Sequence, residues 1–138
     1  SAASDVYKRQ DTIVWLDGEI IGKPRDPEDA VSILKKLSGK THTVYTGVAV
    51  LTDQGCDVCH DTTEVTMEAI PEADIRAYVA SGEPLDKAGA YGIQGPAAVF
   101  VKRVEGCYFT IIGMPMHKLY HMLAKVGIYP DWQRAART

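Results

Sequence analysis

Cysteine is scarce in this 138-residue chain: there are three, too few and odd in number for a disulfide framework. With no apolar export segment near Ser1, the expectation is a reducing, cytoplasmic setting. Long hydrophobic runs are also lacking. The longest pieces, such as Val48 to Leu51 and Ala97 to Val101, fall far short of the roughly 20 apolar residues a membrane span requires, which argues against a membrane partner. Nor is positive charge in excess. Fifteen Lys and Arg stand against 18 Asp and Glu, a net charge of −3, whereas a general nucleic-acid binder shows a basic surplus. Any affinity for phosphate must therefore come from a local cluster. No repeat or low-complexity tract is present.

What is present is ordinary globular material, 46% hydrophobic and 24% charged, long enough for one domain with a core that needs no staples. Ser1 to Gln10 carries neither a helical stripe nor a clear alternation and reads as a non-native leader similar to a translated sequencing adaptor. Native sequence is expected from Asp11 to about Trp132, with 133–138 as a tail. Asp11 to Leu16 is β-branched and apolar, and Asp17-Gly18 turns it back into Glu19-Ile-Ile21 as a tight hairpin. Asp26 and Pro27 supply an N-cap and a first-turn proline for a helix with Ala30, Ile33, Leu34 and Leu37 inward, ended by Ser38-Gly39. Thr41 to Thr52 reads as a central strand apolar on both faces in its second half, and 56–67 as its more polar antiparallel partner. Pro71 opens a helix with Ile75, Tyr78 and Val79 inward. Residues 83–96, with three glycines and two prolines, form a loop of functional character. Ala97 to Val104 and Cys107 to Ile112 are expected to pair as a second hairpin about Glu105-Gly106. Met116 to Val126 then makes the last helix, with Leu119, Tyr120, Leu123 and Val126 inward. The order of elements is that of a mixed α/β protein.

Cys56-Asp-Val-Cys59-His60 matches the pattern for covalent haem attachment. In a strand, however, residues three apart point to opposite faces, so the thiols diverge. A zinc site from Cys56, Cys59, His60 and distant Cys107 lacks the usual second close pair. His117 and His121 share a helix face, but no glutamate follows His117 as a metalloprotease base would, and the plainer reading is a histidine pair on an amphipathic helix.

A third grouping has the parts for phosphate chemistry. Asp11 stands at a strand start, Lys23 follows the hairpin in Gly22-Lys23-Pro24, and the loop from Glu83 to Pro96 gathers a carboxylate, an ammonium and an amide among small residues. A carboxylate can hold a divalent cation or take a proton from water, lysine offsets phosphate charge, and a glycine-rich turn offers backbone N–H groups to an anion. By spacing alone the same residues also read as a strand-start acid, a solvated charge and turn formers.

Asp86-Lys-Ala-Gly-Ala-Tyr-Gly-Ile-Gln-Gly95, with Asp11-Thr-Ile-Val14, Gly22-Lys-Pro24, Leu37-Ser-Gly-Lys-Thr-His42, Val44-Tyr-Thr-Gly47 and Ile112-Gly-Met-Pro115, resembles the Maf family of nucleotide pyrophosphatases almost continuously from Asp11 to Trp132. The resemblance implies an elongated α/β fold with a mixed sheet and two lobes around a cleft. It implies hydrolysis of nucleoside triphosphates between the α and β phosphates with Mg or Mn, in the manner of house-cleaning enzymes. Carried over residue by residue, it makes Asp11, Lys23 and Gln94 catalytic, Asp11 the metal-holding residue, and Thr12 and Lys87 substrate-binding. The wording Ala88-Gly-Ala-Tyr-Gly-Ile-Gln94 is similar to the branch acting on dTTP and UTP. The family's Ser-x-Ser-Pro-Arg-Arg loop has no counterpart here, so the chain matches the C-terminal two thirds of such an enzyme, with incomplete charge compensation for three phosphates. If the unmatched N-terminal strand and helix of the family normally cover Ile13, Trp15 or Val48, exposure of those faces and association or aggregation are expected, and a homodimer is in keeping with the family. A nucleotide-binding or regulatory module without hydrolysis, associated with septum formation, is the alternative.

Overall fold

The computed structural model describes residues 6–133. The chain begins with a long strand, β1 (Tyr7–Leu16), which the Asp17-Gly18 turn folds onto β2 (Glu19–Ile21). Both turn residues have positive φ, +50° and +83°, the requirement of a two-residue turn that follows the twist of its strands. Tyr7 to Gln10, read above as leader, continue β1 without a break and pair with Leu51 to Val48.

Helix α1 (Pro27–Leu37) starts where capping chemistry puts it. The Asp26 carboxylate accepts the Asp29 N–H at 2.7 Å, Pro27 occupies the first turn and Lys35 and Lys36 the last, in accord with the helix dipole. Its buried face is Ala30, Val31, Ile33, Leu34 and Leu37. Two long antiparallel strands follow, β3 (Thr41–Thr52) and β4 (Gly55–Met67), and then α2 (Glu72–Ala80). The loop region contains three short 3₁₀ segments, Glu83–Asp86, Ala88–Ala90 and Pro96–Phe100. A short edge strand β5 (Val101–Glu105), one turn of helix α3 (Tyr108–Ile111) and α4 (Met116–Lys125) complete the order. Among the described residues the sheet runs β2-β1-β3-β4-β5, and every pairing is antiparallel.

The expected second hairpin does not form. Pro96 opens a 3₁₀ segment where the first strand was to begin, as its fixed φ favours. Beyond β5, Gly106 turns at φ +123° against Thr63, whose hydroxyl donates to the Cys107 carbonyl at 2.8 Å. That contact diverts Tyr108 to Ile111 into α3 despite their β-forming composition, a tertiary override of propensity.

One face of the sheet is packed. His42, Val44, Thr46, Val48 and Val50 of β3 all lie on it and are buried. Around its first half, Val14, Leu16, Ile21, Val44, Val65 and Met67 close against α1, α2 and the 88–91 turn. Around its second half, Val48 and Val50 close against Leu119, with Met114, Met122 and Leu123 beside them. Val48, expected to be exposed, is thus covered by α4. The opposite face of β3 is not buried as a strand apolar on both sides would be: Tyr45 and Leu51 remain 39% and 38% exposed, and Trp15, Ile20 and Val58 of β1, β2 and β4 are exposed as well. No described helix is long and apolar enough to cross a membrane.

Candidate active site

Against the first of these packed groups, beside Val14, Val44 and Tyr91, lies a cavity of about 590 Å³, lined by all five residues singled out from the sequence: Asp11, Thr12, Lys23, Lys87 and Gln94. They come from β1, the segment after β2, and two points of the 83–96 loop, so only the fold joins them.

β1 supplies one wall. Before Val14 it pairs with β3 on one side only, leaving its other edge open toward the cavity. Gln10 and Thr12 face inward, their side chains 3.0 and 3.3 Å from where a Cβ on Gly113 would stand. Gly113 adopts φ +90°, so this crossing tolerates only glycine. The Thr12 hydroxyl lies 3.0 Å from that of Thr46, which donates to the Thr110 carbonyl at 2.7 Å. Asp11, between Gln10 and Thr12, takes the parity of Ile13 and Trp15. It is exposed and meets the cavity at its rim rather than its floor.

The end of the first hairpin is tied to the loop by one backbone bond, from Gly89 N–H to the Gly22 carbonyl at 3.1 Å. Gly89 sits at φ +75° with Val14 Cγ2 only 2.9 Å from a Cβ position, which fixes how closely the loop approaches β1. Lys23, the next residue after Gly22, is exposed and forms no hydrogen bond or salt bridge with a described residue. Lys87 is engaged: its Nζ donates to the Asp86 carboxylate at 3.0 Å and to the Glu83 carbonyl at 3.2 Å. The Lys87 ammonium holds the Asp86 carboxyl below the usual carboxylate range. Gln94 is exposed on the turn closed by the bond from Gly95 N–H to the Gly92 carbonyl.

Three residues of the site escaped the sequence reading. Glu83 lines the cavity and accepts the Tyr78 hydroxyl at 2.6 Å. Tyr91 also lines it and lies 2.7 Å from His42 Nε2. Gln10 was assigned to the leader. The available signal was a histidine and two tyrosines on inward positions, since buried polar atoms need partners. Burial holds His42 neutral, its pKa lowered to about 4, and pushes the Tyr91 phenol well above its ordinary value. His42 Nδ1 has no partner among the described residues.

The other candidates lie apart from the cavity. Cys56 and Cys59 occupy opposite faces of β4, opposite Leu51 and Val48. His117 and His121 meet edge-on along α4 with centroids 4.6 Å apart. Among the described residues no group of three or more His, Cys, Asp or Glu could hold a metal ion. A magnesium or manganese ion needs less, commonly one or two carboxylates, with phosphates and water completing the shell. The oxygen donors of Asp11 and Gln94 along the cavity fit that requirement.

The chain is 49% identical over 119 residues to a dTTP/UTP pyrophosphatase of Pelotomaculum thermopropionicum, covering 85% of this chain and 62% of that protein. It is 48% identical over 118 residues to the dTTP/UTP pyrophosphatase of Aquifex aeolicus, covering 86% and 62%, and 50% identical over 117 residues to that of Thermotoga maritima, covering 85% and 57%. The chain therefore spans about three fifths of the length of these curated relatives. A family model described as Maf-like protein matches residues 8–126, a span that takes in β1, the hairpin lysine, the glycine-rich loop and the α3 turn: this chain belongs to the Maf family.

Proposed function

We propose that this chain forms part of the catalytic cavity of a nucleoside triphosphate pyrophosphatase, taking dTTP or UTP to the monophosphate and pyrophosphate. The observation that carries the proposal is the convergence of Asp11, Thr12, Lys23, Lys87 and Gln94 on one cavity from separate segments. The names of the relatives support the pyrimidine choice.

In this reading water attacks the α phosphorus and pyrophosphate leaves with the electrons of the broken P–O bond. Lys23, which forms no hydrogen bond or salt bridge with a described residue, places its ammonium against the charge that grows on the leaving group. Asp11, at the open edge of β1, takes the proton of the attacking water or orients it. Gln94 and the Thr12 hydroxyl supply neutral hydrogen bonds that fix the substrate without adding charge. A divalent ion held by Asp11 and the phosphates would supply Lewis-acid charge neutralisation.

The charges of the cavity favour a second reading. Lys23 and Lys87 line it, and so do Asp11 and Glu83, so the protein contributes no net positive charge toward a triphosphate. A chain with three fifths of its relatives' length binds nucleotide in that reading and turns it over weakly or not at all. Incubation with dTTP and magnesium or manganese separates the two. Pyrophosphate release above the metal-free control, reduced about a hundredfold by Lys23→Ala, supports hydrolysis, and release unchanged by that substitution overturns the assignment of Lys23. Saturable dTTP binding without release supports the binding module.

A further inference from the structure

We propose that Glu83, gripped by the Tyr78 hydroxyl, is a positioning residue that sets the 92–95 turn and through it Gln94. The inference rests on the nucleotide-site reading above and adds to it a pair of residues, one of them on α2.

Tyr78 is a hub of two hydrogen bonds. Its hydroxyl donates to Glu83 Oε1 at 2.6 Å and accepts the Gly92 N–H at 3.1 Å. Its ring is held in the core, edge-on to Phe100 with centroids 6.1 Å apart. Burial, reinforced by Glu83, raises the phenol well above its ordinary pKa, so it remains a donor across the neutral range. Glu83 then fills the space that two glycines leave. A Cβ on Gly95 would stand 2.5 Å from Glu83 Oε2, and one on Gly92 would stand 3.5 Å from Oε1 and 2.7 Å from the stem of Lys87. Lys87 closes the same arrangement by donating to the Glu83 backbone carbonyl. The turn carrying Gln94 is therefore gripped at both of its glycines by groups anchored to α2 and to the start of the loop. Gln94, by contrast, is exposed and its side chain forms no hydrogen bond with a described residue that would hold it toward the cavity. The direction of an amide at a binding rim matters because hydrogen bonds weaken steeply as they misalign.

The competing role for Glu83 is that of a direct ligand for a metal ion or a substrate hydrogen. Glu83→Gln separates the two, since its amide oxygen still accepts from Tyr78 and fills the same space without the charge. For a positioning residue, dTTP affinity in the presence of magnesium stays within about threefold of the parent in Glu83→Gln, and falls about tenfold in Glu83→Ala and Tyr78→Phe. Because Tyr78 acts through Gln94, adding Tyr78→Phe to Gln94→Ala weakens binding by less than about twofold. A Glu83→Gln loss as large as that of Glu83→Ala overturns the proposal, and so do Tyr78→Phe and Gln94→Ala losses that multiply. If the parent chain does not bind dTTP, the nucleotide-site reading fails on its own, and amide NMR still decides the grip. Tyr78→Phe should move the Gly92, Gln94 and Gly95 resonances and speed Gly92 exchange while β3 resonances stay in place. Unmoved turn resonances overturn it.

Discussion

The two packed groups on the sheet's covered face are held by different forces. Under α1 and α2 the contacts are apolar and continuous, with Leu34, Leu37, Val44 and Val65 at most 2% exposed. Under α3 and α4 the apolar cluster contains only three buried residues, Val48, Val50 and Leu119, and a polar chain does the rest. It runs from Thr12 to Thr46, from Thr46 to the Thr110 carbonyl, and from the Thr110 hydroxyl to Asp61 at 2.7 Å. Lys118 of α4 ends it, with Nζ 3.0 Å from the Asp61 carboxylate and 2.9 Å from the His60 carbonyl. Burial raises the Asp61 pKa, but the hydrogen bonds from Thr110 and Lys118 outweigh it and leave the carboxyl below its ordinary range. Apolar burial is insensitive to salt, whereas a short polar chain that ends in an ion pair is weakened by it. The cavity borders the apolar group through Val14 and Val44 and the polar chain through Thr12, so one of its walls rests on each kind of support.

The contrast can be broken first by cavity creation. Leu34→Ala should cost about 4 kcal/mol and Leu119→Ala about 2 kcal/mol in chemical denaturation, and equal losses would erase the distinction. Acid provides the next test. His42 is neutral in the folded chain and its pKa falls from 6.5 to about 4. The unfolded chain therefore binds the extra proton first, and stability is lost as pH falls from 6.5 toward 4, by up to roughly 3 kcal/mol. His42→Gln should flatten that part of the stability profile. The Asp61 contribution has the opposite parentage: it is present above the ordinary carboxylate pKa and disappears only at lower pH. Two separate acid steps sharpen the comparison, while one step would merge the regions.

Substitution within the polar chain ranks third. Thr46→Val removes a fully buried hydroxyl together with its bonds to Thr12 and to the Thr110 carbonyl, and should cost about 2 kcal/mol. It should also move the 110–113 wall of the cavity more than the 88–91 wall, a difference that amide shifts would read. The smallest effect belongs to Lys118→Met. The lysine side chain is 50% exposed, so the loss should stay below about 1 kcal/mol and vanish in high salt. A larger, salt-independent loss would show that packing of its stem, rather than charge, ties α4 to β4.

Much of this architecture was legible before any coordinates. The hairpin at Asp17-Gly18, the cap at Asp26, the inward faces of α1 and α2 and the long β3–β4 pair all follow from local rules that operate over a few residues. Tyr108 to Ile111 did not follow, because a Thr63 hydroxyl on another strand decides their path. Tyr78 illustrates the same limit within the site. Its place on the buried face of α2 was readable, yet its hydroxyl partners, Glu83 and Gly92, are 5 and 14 residues away and come from a loop without periodicity.

The sequence by itself determined where the first hairpin, α1 and α2 begin, which of their faces are apolar and which residue types are available for phosphate chemistry, since turns, caps and hydrophobic periodicity are short-range properties of the chain. Tertiary structure alone decided that Asp11, Lys23, Lys87 and Gln94 border one cavity, that Asp11 stands at its rim, and that Glu83 and Tyr78 grip the turn beside it. Those facts depend on strand register and on how closely Gly89, Gly95 and Gly113 let separate segments approach, and both are set by packing across the whole sheet.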